Sequence, residues 1–325
     1  MIISRSPFRL SLGGGGTDLP SYYTKYGGFF VGGAVNKYVY ITVNKRFEEG
    51  LRVSYSTTEL VENADEVKHP VAREALKMVG IQKGVEIVSV ADAPAATGLG
   101  SSGSFCVGLL KVLHLYLRQE REAKDLAEEA CEISMRRLRE PSGKQDEYVA
   151  SFGGICAYEI DKEGEVTVRP LEFSTNVLAE LEASILMFYT GITRSASPVL
   201  AMQQEAIRSG DGAEKMHKIK EIGLKSRDAL AGGDLTKFGE LLHEHWVTKR
   251  GVTGLMSTDS IDRWYKVARE NGATGGKLVG AGGGGFLMLY CDNGRSKLRE
   301  AMAREGLTEH RFRFDFEGAK IIYNV

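Results

Sequence analysis

Glycine clustering constrains this 325-residue chain more than any other feature of it. Twelve of its 39 glycines fall in three short windows, Gly13–Gly16, Gly98–Gly103 and Gly280–Gly285. Ordinary usage is roughly 7%, and clustered excess marks backbone that bends tightly or lies close to a ligand. There is no Gly-X-Y period and only 7 prolines occur, which excludes collagen and low-complexity disorder. The 42% hydrophobic and 26% charged content fits a soluble globular protein of one large or two ordinary domains. With 42 basic and 43 acidic residues, nothing favours nucleic acid or an anionic membrane as partner. No apolar run approaches the roughly 18 residues of a membrane span, and no secretory pattern opens the chain. The four cysteines, Cys106, Cys131, Cys156 and Cys291, are far apart. They suit buried thiols in a reducing cytoplasm better than disulfides or zinc.

Periodicity places the windows. Lys37–Val43 and Val85–Val90 read as strands. Pro70 opens a helix through Met78 that Gly80 closes. Helical spacing follows Gly103 at Phe105, Leu109, Val112, Leu113 and Tyr116. A second helix is expected over 122–139, ending before Pro141. Gly153-Gly154 lead into a strand at Ile155–Ile160. Beyond about 165 the pattern restarts: a strand at Ser184–Tyr189, helices near 196–208, 213–231, 234–250 and 259–271, a strand at Phe286–Tyr290, a helix near 295–305 and a terminal strand, Lys320–Val325. This mixture without strict alternation predicts an α+β fold of two closely packed lobes.

In Pro94-Ala95-Ala96-Thr97-Gly98-Leu99-Gly100-Ser101-Ser102-Gly103-Ser104, a Gly/Ser loop follows a strand and opens a helix. Free N–H groups and the positive helix end make an anion site suited to nucleotide phosphates. A serine-rich cap before a buried helix is the alternative. Gly98-x-Gly100-x-x-Gly103 matches the dinucleotide-binding string, but eight residues from the strand instead of in a tight turn. Ser104-Phe105 stands where a Walker A loop needs Lys-Ser/Thr. In the first window Arg9 and Asp18 flank the glycines. The third window runs into a strand and could be only a hairpin.

In this order and spacing the three windows resemble the motifs of the GHMP small-molecule kinases, a family that includes galactokinase, homoserine kinase, mevalonate kinase and phosphomevalonate kinase. The specific string is Pro94–Ser102, and the resemblance covers nearly the whole chain. It implies an N-terminal ribosomal-S5-like lobe over 1–165, a C-terminal ferredoxin-like lobe over 166–325, and ATP with Mg2+ as cofactors. Within the family, Gly-Gly-Gly-Thr-Asp-Leu-Pro, Gly143-Lys144-Gln145-Asp146 and Tyr189–Ser195 look most like heptose 7-phosphate kinases. That likeness implies transfer of the ATP γ-phosphate to the anomeric O1 of D-glycero-D-manno-heptose 7-phosphate, giving the 1,7-bisphosphate.

The roles the resemblance implies are as follows. Pro94, Gly98, Leu99, Gly100, Ser101, Ser102, Gly103 and Ser104 hold ATP. Asp146 acts as base or orienter of the attacking hydroxyl, and Arg9 stabilises transferring charge. Gly15, Gly16, Thr17, Asp18, Gly283 and Gly284 face the sugar. Thr193 and Arg194 suit the substrate's own phosphate. Lys249-Arg250 reads first as a basic helix C-terminus. Ser102 is the matching metal ligand. Where relatives often carry a magnesium-binding glutamate this chain has Ser134, with Glu132 the nearest acid but turned by about 200° on a helix of 3.6 residues per turn. Relatives also tend to have Asp-Gln where Asp146-Glu147 stands. These departures motivate one alternative, a non-catalytic sugar- and nucleotide-binding regulator. A galactokinase- or fucokinase-like enzyme for an unphosphorylated sugar is another, and a dinucleotide oxidoreductase a third.

Overall fold

The computed structural model describes residues 1–193, 195–210, 212–253 and 256–325. The first lobe is built on β1 (Ile2–Gly13) and the long β2 (Gly28–Lys45), joined through helix α1 (Pro20–Tyr26). β3 (Leu51–Ser54), β4 (Thr58–Val61), helix α2 (Pro70–Val79) and β5 (Val85–Ala91) follow, then α3 (Ser101–Tyr116), α4 (Ala123–Cys131), α5 (Gln145–Phe152), β6 (Ile155–Ile160) and β7 (Val166–Pro170). The second lobe has α6 (Thr175–Ser184), β8 (Ile185–Tyr189), α7 (Ala196–Ser209), α8 (Ala213–Ala231), α9 (Leu235–Arg250), α10 (Asp259–Glu270), β9 (Gly275–Leu278), β10 (Phe286–Tyr290), α11 (Arg295–Arg304) and β11 (Thr308–Glu309); β12 (Lys320–Asn324) ends the chain.

Two sheets result, one ordered β12-β1-β2-β5-β3-β4 with β6 and β7 branching from β2, the other β11-β8-β10-β9. Only β3–β5 is a parallel pair among the described ladders. β2 serves two partners because it is long: Gly28–Gly33 pairs with β6 and Val39–Lys45 with β5. The expected cut at 165 needs correction, because β7 and β12 both belong to the first sheet and Phe314 bridges to Val35. One apolar cluster runs through both lobes, from Phe8 and Leu109 to Phe238 and Met288.

Helix α3 is buried on more than the expected face. Cys106, Val107, Leu110 and Leu113 are covered, while Phe105 and Tyr116 are half-buried, because the helix lies between the sheet and its helical neighbours α4 and α5. The helix expected over 122–139 is α only to Cys131. Glu132–Arg137 forms a π-helical turn, and Arg139 follows at φ +53°. Such widened turns and positive φ values concentrate where a fold re-aims side chains at a functional site.

Candidate active site

Strand β1 carries Arg9 into the interior, where it is 4% exposed. Its Nε donates to Asp146 Oδ1 at 2.8 Å and its Nη2 lies 2.7 Å from the same oxygen. Nη1 donates to the carbonyl of Gly98, so one guanidinium ties the first residues of α5 to the phosphate loop. Charge-assisted bonds of this kind are the strong ones. Asp146 opens on a cavity of about 390 Å³. A Cβ at position 100, where φ is +77°, would lie 3.1 Å from Arg9 Cγ and 3.2 Å from Asp146 Cγ. Glycine is what lets the loop sit against the aspartate.

Asp18 lines the same cavity. Its Oδ1 accepts the Gly16 N–H at 2.8 Å and its Oδ2 the Gln145 N–H at 3.1 Å. Burial raises its pKa and the Asp146 charge adds to this, while those N–H bonds oppose it. A side chain at Gly143 would collide with Asp18 Oδ2. Lys144 faces away, donating to Glu128 Oε1 and the Gly164 carbonyl, each at 2.7 Å. The Gly-Lys-Gln-Asp string is therefore an anchored hinge that presents one carboxylate.

The three glycine windows converge, with a division of labour the sequence did not show. Gly15, Gly16, Gly98, Gly100, Ser101 and Ser102 line the cavity. Pro94 does not; it is exposed, and its carbonyl accepts the Thr97 hydroxyl at 3.0 Å within the turn. Leu99 is core. Gly103 packs against Asp146 and the Glu147 amide, and the Ser104 hydroxyl donates to the carbonyls of Pro7 and Gly100. Thr17 is buried, its hydroxyl serving the Gly14 and Phe29 carbonyls at 2.9 and 2.6 Å. Gly283 and Gly284 also lie off the cavity: the Gly283 amide donates to the Met256 carbonyl, and Gly284 leaves no room for a Cβ beside Ile192. The wall there is Gly280 and Ala281. Thr193 is exposed and off the wall, and Arg194 lies outside the described residues.

Glu132 does not join the site. Its carboxylate pairs with Arg136 at 3.2 Å on the surface. The π turn instead aims Ser134 inward, where its hydroxyl donates to Glu147 Oε1 at 2.9 Å. The two departures from the family pattern thus touch each other. Burial, aided by the Asp146 charge, pushes Glu147 up to about 8, and its Oε2 has no partner among the described residues. The same segment turns Glu140 onto the cavity wall, with its carboxyl raised by burial.

Sequence reading missed Glu140, Ala196, Ser197 and Gln203, all on the wall, and reached Ser195 only as the last residue of the Tyr189–Ser195 string. No local pattern marks them. Lys249 was visible only as half of a basic pair. The structure separates the two: Arg250 faces out to Asp262, while Lys249 is buried on the cavity with its Nζ on the Gly280 carbonyl at 2.9 Å. His243 bonds Tyr265 at 2.8 Å and Trp246 is core, so both serve packing.

A phosphate-suited helix start, an arginine-held carboxylate and a sugar-sized cavity define a small-molecule kinase. The comparisons agree. The GHMP kinases N terminal domain matches residues 53–154 and the GHMP kinases C terminal domain residues 226–307. A D-glycero-alpha-D-manno-heptose 7-phosphate kinase of Campylobacter jejuni is 30% identical, over 98% of each chain. A galactokinase of Pyrococcus furiosus is 27% identical over 95% of this chain and 94% of that one. A crystal structure of a D-glycero-D-manno-heptose 1-phosphate kinase from Bacteroides thetaiotaomicron superposes with TM-score 0.82 at 26% identity, covering all of both chains.

The chain therefore belongs to the GHMP kinase family. It is a sugar kinase with an ATP phosphate donor. No helix among the described residues is long and apolar enough to cross a membrane.

Proposed function

We propose that the enzyme phosphorylates the anomeric O1 of D-glycero-D-manno-heptose 7-phosphate. The observation that carries this is the one-sided hold on Asp146: Arg9 takes Oδ1 twice and leaves Oδ2 toward the phosphate loop and the cavity. The sugar hydroxyl hydrogen-bonds to Oδ2, O1 attacks the γ-phosphorus, and the bond to the ADP oxygen breaks. The proton passes to Asp146 and then to solvent. An anomeric hydroxyl is more acidic than an ordinary alcohol, so a carboxylate suffices. The loosely bonded transferring group is stabilised by the α3 N-terminus and the Arg9 charge. Asp18 accepts sugar hydroxyls and fixes the ring.

Magnesium fits the donor set. No group of three or more metal-ligating side chains gathers among the described residues, and kinases hold magnesium mainly through phosphate oxygens, waters and one or two protein oxygens. Ser102 and Glu140, both on the cavity wall, are the two we assign. Bound there, the ion would neutralise phosphate charge.

ADP release across a panel of sugars and sugar 7-phosphates tests the assignment. Preference for the heptose 7-phosphate supports it. Preference for free galactose or fucose would move the enzyme to the galactokinase or fucokinase branch, which the similarity to galactokinase makes the second reading.

A further inference from the structure

A sugar that arrives already phosphorylated must be held at both ends, and Asp146 holds only the acceptor end. The start of α7 also lines this cavity, with Ser195, Ala196 and Ser197 on its wall. Ser195 is the N-cap residue of this 14-residue helix and makes no side-chain cap bond, and Pro198 removes one N–H from the first turn. The amides of Ala196 and Ser197 are left for an outside acceptor.

Two further side chains face the same space. Lys249 is 6% exposed; among the described residues its ammonium donates to the Gly280 carbonyl and forms no salt bridge, although the Asp18 charge acts on it from farther off. Gln203 is fully covered; among the described residues its Oε1 has no partner and its Nε2 has only the weak acceptor Met216 Sδ at 3.4 Å. A buried ammonium without a counter-charge is costly. Burial holds Lys249 down at about 8, with Arg9 adding to the depression and Asp18 opposing it. A dianion beside it would remove that penalty.

The geometry points to a second phosphate subsite, formed by the N-terminus of α7 and Lys249, that takes the substrate's own phosphate monoester while Asp146 addresses O1. Gln203 lies beside it as a hydroxyl partner for the sugar chain. The cavity is thus lined by two helix N-termini with different tasks, α3 for the phosphate being transferred and α7 for the one that stays. This rests on the proposed reaction with a sugar phosphate. It replaces Thr193, which is exposed and off the wall, as the anchor of that phosphate.

Two variants test it. Lys249→Met removes the charge at nearly constant volume. Ser197→Asp places a carboxylate at an exposed first-turn position, where a helix tolerates it, so the fold survives even if the first variant does not. The readout is the KM for heptose 7-phosphate relative to the KM for ATP. The subsite requires this ratio to rise by about 10- to 100-fold in each folded variant, the scale of a lost charge-assisted hydrogen bond. An unchanged ratio overturns the subsite, as does an equal rise in both KM values, which would assign Lys249 to the nucleotide. If the unaltered enzyme refuses heptose 7-phosphate, the proposed function falls and the subsite with it. If it accepts heptose 7-phosphate and the variants keep the ratio, only the subsite falls.

Discussion

Asp146 and Glu147 are neighbours in sequence and differ in everything the fold can impose. Asp146 is held by Arg9 and reaches the cavity; Glu147 is sealed behind it with one oxygen on Ser134 and the other without a partner among the described residues. Replacing Asp146 by asparagine keeps shape and removes the acceptor charge. It is expected to lower kcat by about 10²- to 10⁴-fold with ATP affinity retained, as measured by steady-state kinetics and nucleotide titration. Glu147 makes a different prediction. Burial pushes its carboxyl up to about 8 in the fold, above the ordinary carboxylate value of 4.5. Between those values the unfolded chain ionises while the folded one keeps its proton. Stability therefore falls as pH rises through that window, by about 1.4 kcal/mol per pH unit at most. Glu147→Gln should flatten the profile, raising the melting temperature at pH 8 and scarcely at pH 4.5. An unchanged pH profile would show that Glu147 is ionised in the fold. Sequence reading singled out Ser134 and Glu147 as separate departures. Their contact depends on a π-helical turn that no propensity rule signals.

At the scale of elements, helices with capping signals were legible and glycine-bearing strands were not. α2, α8 and α9 lie within a residue of the expected spans because the apolar period agrees there with Pro70 and Gly80 around α2 and with the glycines that close α8 and α9. β1 was unreadable as a strand because Pro7 interrupts it. Proline is tolerated within this sheet because the β1–β2 register shifts between Pro7 and Phe8. The third glycine window was legible as a loop and not as what it packs against. Gly280, at φ +81°, would bring a Cβ within 2.8 Å of Gly98 Cα, so the two loops meet backbone to backbone. Gly280→Ala is expected to destabilise the fold by about 1–3 kcal/mol through strain and overpacking. It should also weaken ATP binding, because the displaced partner is the phosphate loop. Denaturant unfolding with nucleotide titration would check both; full stability with normal ATP affinity would show the loops do not depend on each other.

For the whole molecule, the active site exists only because the chain returns. Arg9 comes from the first strand, Asp146 from the middle of the chain, and Lys249 and Gly280 from the second lobe, while β12 closes the first sheet beside β1. The sequence indicated two lobes and the order of the motifs. The return of β12 to the first sheet is a long-range pairing that no local pattern specifies. Because one apolar cluster runs through both lobes, calorimetry should show a single cooperative unfolding transition; two separated transitions would mean lobes that fold apart. The central claim joins a place to a reaction, and the most direct test reads both. Heptose 7-phosphate and ATP are incubated with the enzyme and with its Asp146→Asn variant, and the position of the new phosphate is read by phosphorus NMR. The expected result is a 1,7-bisphosphate carrying its new phosphate on the anomeric oxygen, formed by the enzyme and almost absent with the variant. A phosphate on any other oxygen, or equal turnover by the variant, would contradict it.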